Sequence, residues 1–552
     1  MNCVSTVYSL ICSILLSSIL SAKTETEVGW CIDAAGQSYY CEVDEQWFQP
    51  GDRRNRVLLI QASPDIEFAQ FSAHLRDSTD VVKHTIIASI AIPRSMKRVW
   101  ANTLSNGFPP SGDFYKGSES TRQYLWRFIG SMGADVILLV NSRDSVKRMS
   151  FDKSFMEKRL HDEAQMSLFA AASSFPLAQT GVVTTVEHPC DSAKAVQTLS
   201  DVNTHIKSKA TDEKMCSSVI RSRKIRPTNE VCKTLVDTYG TAFRSMSYIP
   251  ALTMRAKHRF SQLTLDDRMQ HEVLDSIRTF ERENSTLLPN SGSSIGGHLI
   301  YSYLAKYDAH NKTNWLNAAL RGVQHAVEYR GDKDTFLMPH HNEMSDAVFM
   351  SGPVLAEIST VNKSKHLEGL CLSHIANMAR MNLRPDGLHR HSPLDSAAWG
   401  RGNGFPALGI ALTLDALGIE NEELLRLYKN HIDALMLHQD AAGMWHQVID
   451  KPGSYAEFTS TCMIAFSILR GIRNHWLDGD KYLDSVSRAA TAIKGRISND
   501  GRLMDVCTGT GKQKSLMDYF HRTAILGKDA RGGAMGLTFM VELLDWEMGR
   551  DE

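Results

Sequence analysis

The chain has 552 residues, 43% hydrophobic and 22% charged, with 61 Lys plus Arg against 62 Asp plus Glu. These values fit a folded protein and exclude disorder as its main state; a net charge of −1 offers neither a basic face for nucleic acid nor an acidic solvating tail. At about 150 residues per domain, the length predicts two to four domains.

The first 22 residues hold the apolar run LICSILLSSIL. It is too short to span a bilayer and has the length of a signal-peptide core, although no lysine or arginine precedes it. Residues 1–22 therefore predict export, to the periplasm or outside the cell. No later stretch is long and apolar enough to predict a membrane span. Eight cysteines follow residue 22, none in a C-x-x-C pair, so no structural zinc is expected. Cys31 and Cys41 flank a short glycine-containing loop; they either close a disulfide or remain two free, small hydrophobes.

Residues 28–200 predict an α/β domain. RVLLIQA (56–62), TIIASIAI (85–92) and DVILLV (135–140) have strand length and composition. Between the last two, ESTRQYLWRFIGSM places Tyr124, Leu125, Phe128 and Ile129 on one helical face. Strand–helix–strand alternation predicts a mainly parallel sheet. Residues 201–230 are polar and basic and predict a linker.

From 231 to 547 helical runs replace strands, at 298–307, 314–328, 367–380, 421–437, 457–472 and 532–546 among others. About eleven or twelve helices of even length suit a closed α/α toroid, an (α/α)6-barrel; an open solenoid is the alternative, but no repeat consensus is visible.

The unusual residues lie between these runs. Residues 386–405 read DGLHRHSPLDSAAWGRGNGF, with His389, His391, Trp399 and Arg401 close together and glycines at 400, 402 and 404. Arginine offers a planar fork for a carboxylate, and tryptophan a flat face for a sugar ring. Alternating glycines let a backbone approach a ligand. In MSDAVFMSGPVLAEI (344–358), Ser345 or Asp346 is placed to cap a helix. In GMWHQVIDKPGSYAEFTST (443–461), Trp445 and His446 precede a turn, and Tyr455 and Glu457 enter the next helix.

Taken in order with DARGGAMGL (529–537), these segments resemble the unsaturated rhamnogalacturonyl and unsaturated glucuronyl hydrolases over roughly 232–547. The resemblance implies an (α/α)6-barrel and makes Asp346 the catalytic acid/base. It matches His391 to the family's loop histidine, and Trp399, Arg401 and Phe405 to its W-x-R-G-N-G-W element, with Phe405 in place of the second tryptophan. His340, His341, Asn403 and Trp445 complete the expected substrate-binding set. The implied substrate is an oligosaccharide ending in a 4,5-unsaturated uronic acid, the product of a polysaccharide lyase. One carboxylate would protonate C4 and then activate the water that adds at C5, so the two-carboxylate spacing of ordinary glycosidases does not apply. Family members usually carry a second aspartate before the helix at 295–307, where this chain has Asn290 and Ser291.

The stretch 106–142 resembles, more weakly, a zinc carboxypeptidase-type domain over 55–200. That family binds zinc through H-x-x-E after its first strand and a histidine ending a later one. Here Gln61, Asp65 and Asn141 stand at those places. No metal, no cofactor and no peptidase activity are therefore expected. The alternative to an active hydrolase is a carbohydrate-binding protein built from degenerate enzyme domains.

Overall fold

The computed structural model describes residues 25–33, 35–61, 72–73, 75–76, 85–91, 120–141, 182–187, 216–418 and 421–549. The signal-like segment and Asp65 lie outside them.

The N-terminal strands are β1 (Glu25–Ile32), β2 (Ser38–Asp44), β3 (Asn55–Gln61), β4 (Thr85–Ala91), β5 (Val136–Asn141) and β6 (Val182–Glu187). They form one sheet in the order β1-β2-β4-β3-β5-β6. The β4–β3, β3–β5 and β5–β6 pairs are parallel; β1–β2 and β2–β4 are antiparallel. Strands β3 and β4 are nearly continuous apolar runs buried along their length, as strands covered on both faces must be. Helix α1 (Ser120–Met132) buries Tyr124, Leu125, Phe128 and Ile129, as their spacing predicts. The edge hairpin β1–β2 was not expected, although Cys41 and Val43 alternate with exposed neighbours in the period of a strand. Its register sets Cys31 opposite Tyr39 and Cys41 opposite Val28. The two cysteines are therefore separate buried thiols and no disulfide joins them.

The expected linker is helical in its second half. Helix α2 (Cys216–Lys224) is tied to the sheet by Asp135, whose carboxylate accepts from the Ser217 and Arg56 amides at 2.9 Å each.

The remaining principal helices are α3 (Thr228–Tyr239), α4 (Tyr248–Leu263), α5 (Asp267–Glu283), α6 (Gly292–Gly297), α7 (Leu299–Tyr307), α8 (Lys312–Gly322), α9 (Ala347–Val361), α10 (Lys365–Asn382), α11 (Gly400–Leu417), α12 (Glu422–Met436), α13 (Phe458–Arg473), α14 (Gly479–Gly495) and α15 (Ala530–Gly549). Helices α4, α6 with α7, α9, α11, α13 and α15 touch one another in a closed cycle, each backed by an outer helix. This is the α/α-barrel, and the solenoid alternative falls because α15 packs on α4. The division follows from sequence. Outer helix α5 is amphipathic and buries Val273, Ile277 and Phe280, spaced four and three apart. Inner helices α9 and α11 are buried nearly all round. Their backbones approach so closely that a Cβ on Gly409 would come within 2.7 Å of the Phe349 backbone.

Among the described residues, no helix is long and apolar enough to cross a membrane. The sheet and the barrel share an apolar cluster containing Trp30, Tyr124 and Phe128 from one side and Trp399, Tyr455, Tyr519 and Phe520 from the other.

Candidate active site

A cavity opens where the N-terminal ends of α4, α6, α9, α11 and α15 converge. Its polar lining includes Tyr248, Ser291, Ser293, His340, His341, Asp346, Arg401, Thr510 and Arg531; Met350, Trp399 and Phe405 supply apolar wall. Asp346 is the one carboxylate among the described lining residues, facing two guanidinium groups. Converging helix N-termini add positive potential of their own. The cavity is thus suited to an anion.

Asp346 precedes α9 but its side chain caps nothing. Its backbone is already helical (φ −52°, ψ −31°), which turns the carboxylate away from the first-turn amides. Oδ1 lies 3.4 Å from His391 Nε2, and neither atom makes a hydrogen bond. Neighbouring Ser345 is fixed at both ends: its hydroxyl donates to the Gly402 carbonyl at 2.7 Å and its amide to the His391 carbonyl at 2.9 Å. The expectation that Ser345 or Asp346 serves as a side-chain cap is corrected accordingly.

His391 is fully buried behind Asp346. Its Nδ1 bonds the Tyr519 hydroxyl at 2.9 Å, and that hydroxyl also accepts from the Gln513 amide. With Tyr519 donating to Nδ1, the imidazole proton sits on Nε2 and faces Asp346. Burial pushes the Tyr519 phenol up to about 12, so it remains a protonated donor at neutral pH. Tyr519 is carried by a short helix, Leu516–Phe520, whose Phe520 packs on Tyr124 of α1 with ring centroids 4.4 Å apart. The N-terminal sheet domain thereby buttresses the wall behind Asp346.

Arg401 lies over the Trp399 ring and donates to the Cys507 and Thr508 carbonyls at 2.6 Å each. The Cys507 amide in turn donates to Glu457, which caps α13 through the Ser460 amide. Strand β7 (Leu503–Cys507) is therefore gripped from both sides at Cys507, and the Gly509–Thr510 wall that follows it is fixed.

His340 and His341 line the cavity from a tight loop in which His340, Asn342 and Glu343 have φ of 60°, 49° and 58°. Non-glycine residues in this region are strained and persist only where their surroundings hold them. Here the holds are the Glu343 amide on His341 Nδ1 (2.9 Å), Asn382 on the Glu343 carbonyl (3.1 Å) and the Glu343–Lys512 ion pair (3.1 Å). Burial lowers the His341 pKa.

Three expected substrate-binding residues do not line the cavity. His391 stands behind it. Asn403 is buried, and its side chain bonds the His389 amide and the His389 and Trp399 carbonyls, pinning the 389–403 loop. Trp445 is a core residue whose indole donates to the Leu435 carbonyl at 2.7 Å. The glycines of WGRGNGF also act differently from expectation. They sit in the opening two turns of α11, and a Cβ on Gly402 would crowd Ser345 Oγ at 3.2 Å and the His391 backbone at 3.3 Å. They serve close packing of the site's own elements, not backbone approach to a ligand. Tyr248, Thr510, Tyr519 and Arg531 were missed; only Arg531 fell in a segment that stood out, DARGGAMGL. Gln61 ends β3 and Asn141 ends β5. Among the described residues no cluster of His, Cys, Asp and Glu is placed to hold a metal ion.

The profile of Glycosyl Hydrolase Family 88 matches residues 235–546. Over 154 residues the chain is 27% identical to the unsaturated rhamnogalacturonyl hydrolase YesR of Bacillus subtilis, a stretch covering 27% of this chain and 42% of that protein. Over 110 residues it is 29% identical to an unsaturated 3S-rhamnoglycuronyl hydrolase of an Alteromonas species, covering 19% of this chain and 27% of that one. The matched stretches thus span less than half the length of these relatives. The crystal structure of a possible GH105 family member from Klebsiella pneumoniae matches with a TM-score of 0.51 at 19% identity, over 60% of this chain and 94% of that one. That likeness is one of fold.

Proposed function

The chain belongs to Glycosyl Hydrolase Family 88, and from that premise we propose that it removes a 4,5-unsaturated uronic acid from the non-reducing end of lyase-generated oligosaccharides. The observation that carries this reading is the Asp346 carboxyl oxygen left without a hydrogen bond beside an anion-favouring cavity. Both matched relatives are named for unsaturated uronyl substrates, which supports the substrate class.

In this reading Asp346, protonated, delivers its proton to C4 of the enol ether. The resulting carboxylate takes a proton from water, which adds at C5. The hemiketal opens and releases the attached sugar. A single acid/base suffices in this reading, and Asn290 and Ser291 stand where the resemblance implies a second aspartate. The Nε2 proton of His391 steadies the carboxylate form between the two steps. Trp399 and Phe405 contribute apolar wall to the ring's site, and His340 and His341 border it. The N-terminal sheet and α1 act as a support.

The test is direct. The conjugated double bond absorbs in the ultraviolet, and hydration abolishes the band. Incubation with lyase-digested rhamnogalacturonan, ulvan or glycosaminoglycan should bleach it. Binding of such fragments with no bleaching would instead support a carbohydrate-binding protein.

A further inference from the structure

Arg531 opens the last inner helix, and nothing in the reading above uses it. Its Nε donates to the Tyr248 hydroxyl at 3.2 Å, which fixes the direction of the guanidinium. The two terminal nitrogens make no hydrogen bond among the described residues. The one acid near them is Asp529, whose Oδ2 stands 3.9 Å from Nη1, at the outer limit of an ion pair. Asp529 Oδ1 meanwhile accepts from the Gly532 amide, in the first turn of the same helix. Nη2 faces the cavity wall at Gly509, where a Cβ would meet it at 3.5 Å.

Other barrel arginines are differently placed. Arg255 bonds Glu357 at 2.7 Å, Arg470 and Arg473 bond Glu542, and Arg259 bonds Asp545 at 2.9 Å. Within the cavity, Arg401 has both terminal nitrogens on backbone carbonyls. Arg531 is thus the lining guanidinium whose planar fork is available. Its neighbours in the lining include Ser293 and Thr510, hydroxyls able to donate to further oxygens.

We infer that Arg531 is a specificity-determining residue that receives an anionic oxygen group of the substrate through its terminal nitrogens. The inference rests on the proposed function for the identity of the substrate, and it deepens that reading. Two groups have this chemistry: the carboxylate of the unsaturated uronyl residue, and a sulfate ester on the sugar attached to it. A guanidinium recognises either in bidentate fashion, whereas a lysine offers only a point charge.

The experiment uses the full chain and its Arg531→Gln and Arg531→Lys variants. Calorimetry measures binding of unsaturated uronyl disaccharides with and without a sulfate on the second sugar, and of the unsulfated uronyl methyl ester. Ultraviolet bleaching gives KM and kcat for the same compounds. Arg531→Gln should weaken binding and raise KM by about 10- to 100-fold, the weight of a lost charge-assisted hydrogen bond, with kcat changed much less. Arg531→Lys should fall between the two, and melting temperatures should stay together. A loss that vanishes with the methyl ester identifies the uronate carboxylate; a loss confined to the sulfated compound identifies the sulfate. Equal affinity in wild type and Arg531→Gln for every compound overturns the inference even if bleaching proceeds. A wild type that binds none of them overturns it as well. A wild type that binds without bleaching, with Arg531→Gln weakened, sinks the hydrolase reading and leaves the inference standing.

Discussion

Asp346 Oδ1 and His391 Nε2 stand 3.4 Å apart at the edge of the cavity, and neither makes a hydrogen bond. A carboxylate whose purpose was structural would be expected to find a donor at such a place, since burying an unpaired polar atom costs about 1–3 kcal/mol. Here Asp346 Oδ1 stays buried against His391 Nε2 without a hydrogen bond, on a residue that lines the cavity.

The first prediction follows. Asp346→Asn removes a titratable acid and disturbs no cap, because the carboxylate makes none. Unfolding free energy should stay within about 1 kcal/mol of wild type, the scale of a small polar exchange away from any bond. Bleaching activity should fall by about 10²–10⁴-fold, the weight of a positioned acid/base. Near wild-type turnover in this variant would remove Asp346 from the chemistry.

Arg401→Lys should damage stability and catalysis together. One ammonium cannot reach both the Cys507 and Thr508 carbonyls in the geometry of the fork. Loss of one charged hydrogen bond is worth about 1.5–3 kcal/mol. The Gly509–Thr510 wall should loosen with it, so kcat/KM should drop alongside the melting temperature. A variant that melts like wild type would show that the grip on β7 lies elsewhere.

Trp445→Phe separates core from cavity. The indole is buried and donates to the Leu435 carbonyl. The smaller ring leaves that carbonyl short of a donor and opens space, for a loss of about 1–3 kcal/mol in stability. Steady-state kinetics well below the melting transition should be unaltered. A raised KM would return Trp445 to the substrate-binding set.

Acid should destabilise the barrel before its carboxylates titrate. Burial pushes His298 and His374 down to about 4 from 6.5. Both are neutral in the folded state; His374 accepts from the Met338 amide and bonds the Ala347 carbonyl next to Asp346. The unfolded chain binds their protons between pH 6.5 and 4 while the folded chain does not. Their stabilising contribution is therefore full above about pH 6.5 and is lost as pH falls to about 4, each worth up to about 3 kcal/mol. Urea unfolding across this window should show the slope. His374→Gln, whose amide can serve both partners without titrating, should reduce it by about one proton.

Much of the fold was legible because it rests on local periodicity. The apolar runs at β3, β4 and β5 and the stripe on α1 could bury their side chains in few other ways. The hairpin β1–β2 is less legible, because its apolar alternation is short, carried in β2 by Cys41 and Val43 alone. The sequence of helix α2 is polar and has the composition of a linker; what fixes its start is Asp135, a residue some 80 positions earlier.

The site divides along the same line. The segment around Trp399 and Arg401 stands out through residue types that barrel packing alone does not call for, whereas Asp346 stands out only through the order of the segments and their resemblance to a family. The division of labour among these residues is not legible in the sequence. Asn403 and Trp445 carry side chains that suit a sugar site equally well, and only burial against the Trp399 and Leu435 carbonyls removes them from it. Tyr519 and Thr510 lie more than 100 residues from Arg401 and enter the site because the ring of helices closes. By itself the sequence determined where the helical runs and the strands lie, since hydrophobic period is a local property; it pointed to Asp346 as the acid only through the order of its motifs and their resemblance to a family. Which polar atoms remain without partners among the described residues, Asp346 Oδ1 and the terminal nitrogens of Arg531 above all, was decided by the tertiary structure alone, because a hydrogen bond depends on atoms that only closure of the barrel brings within about 3 Å of one another.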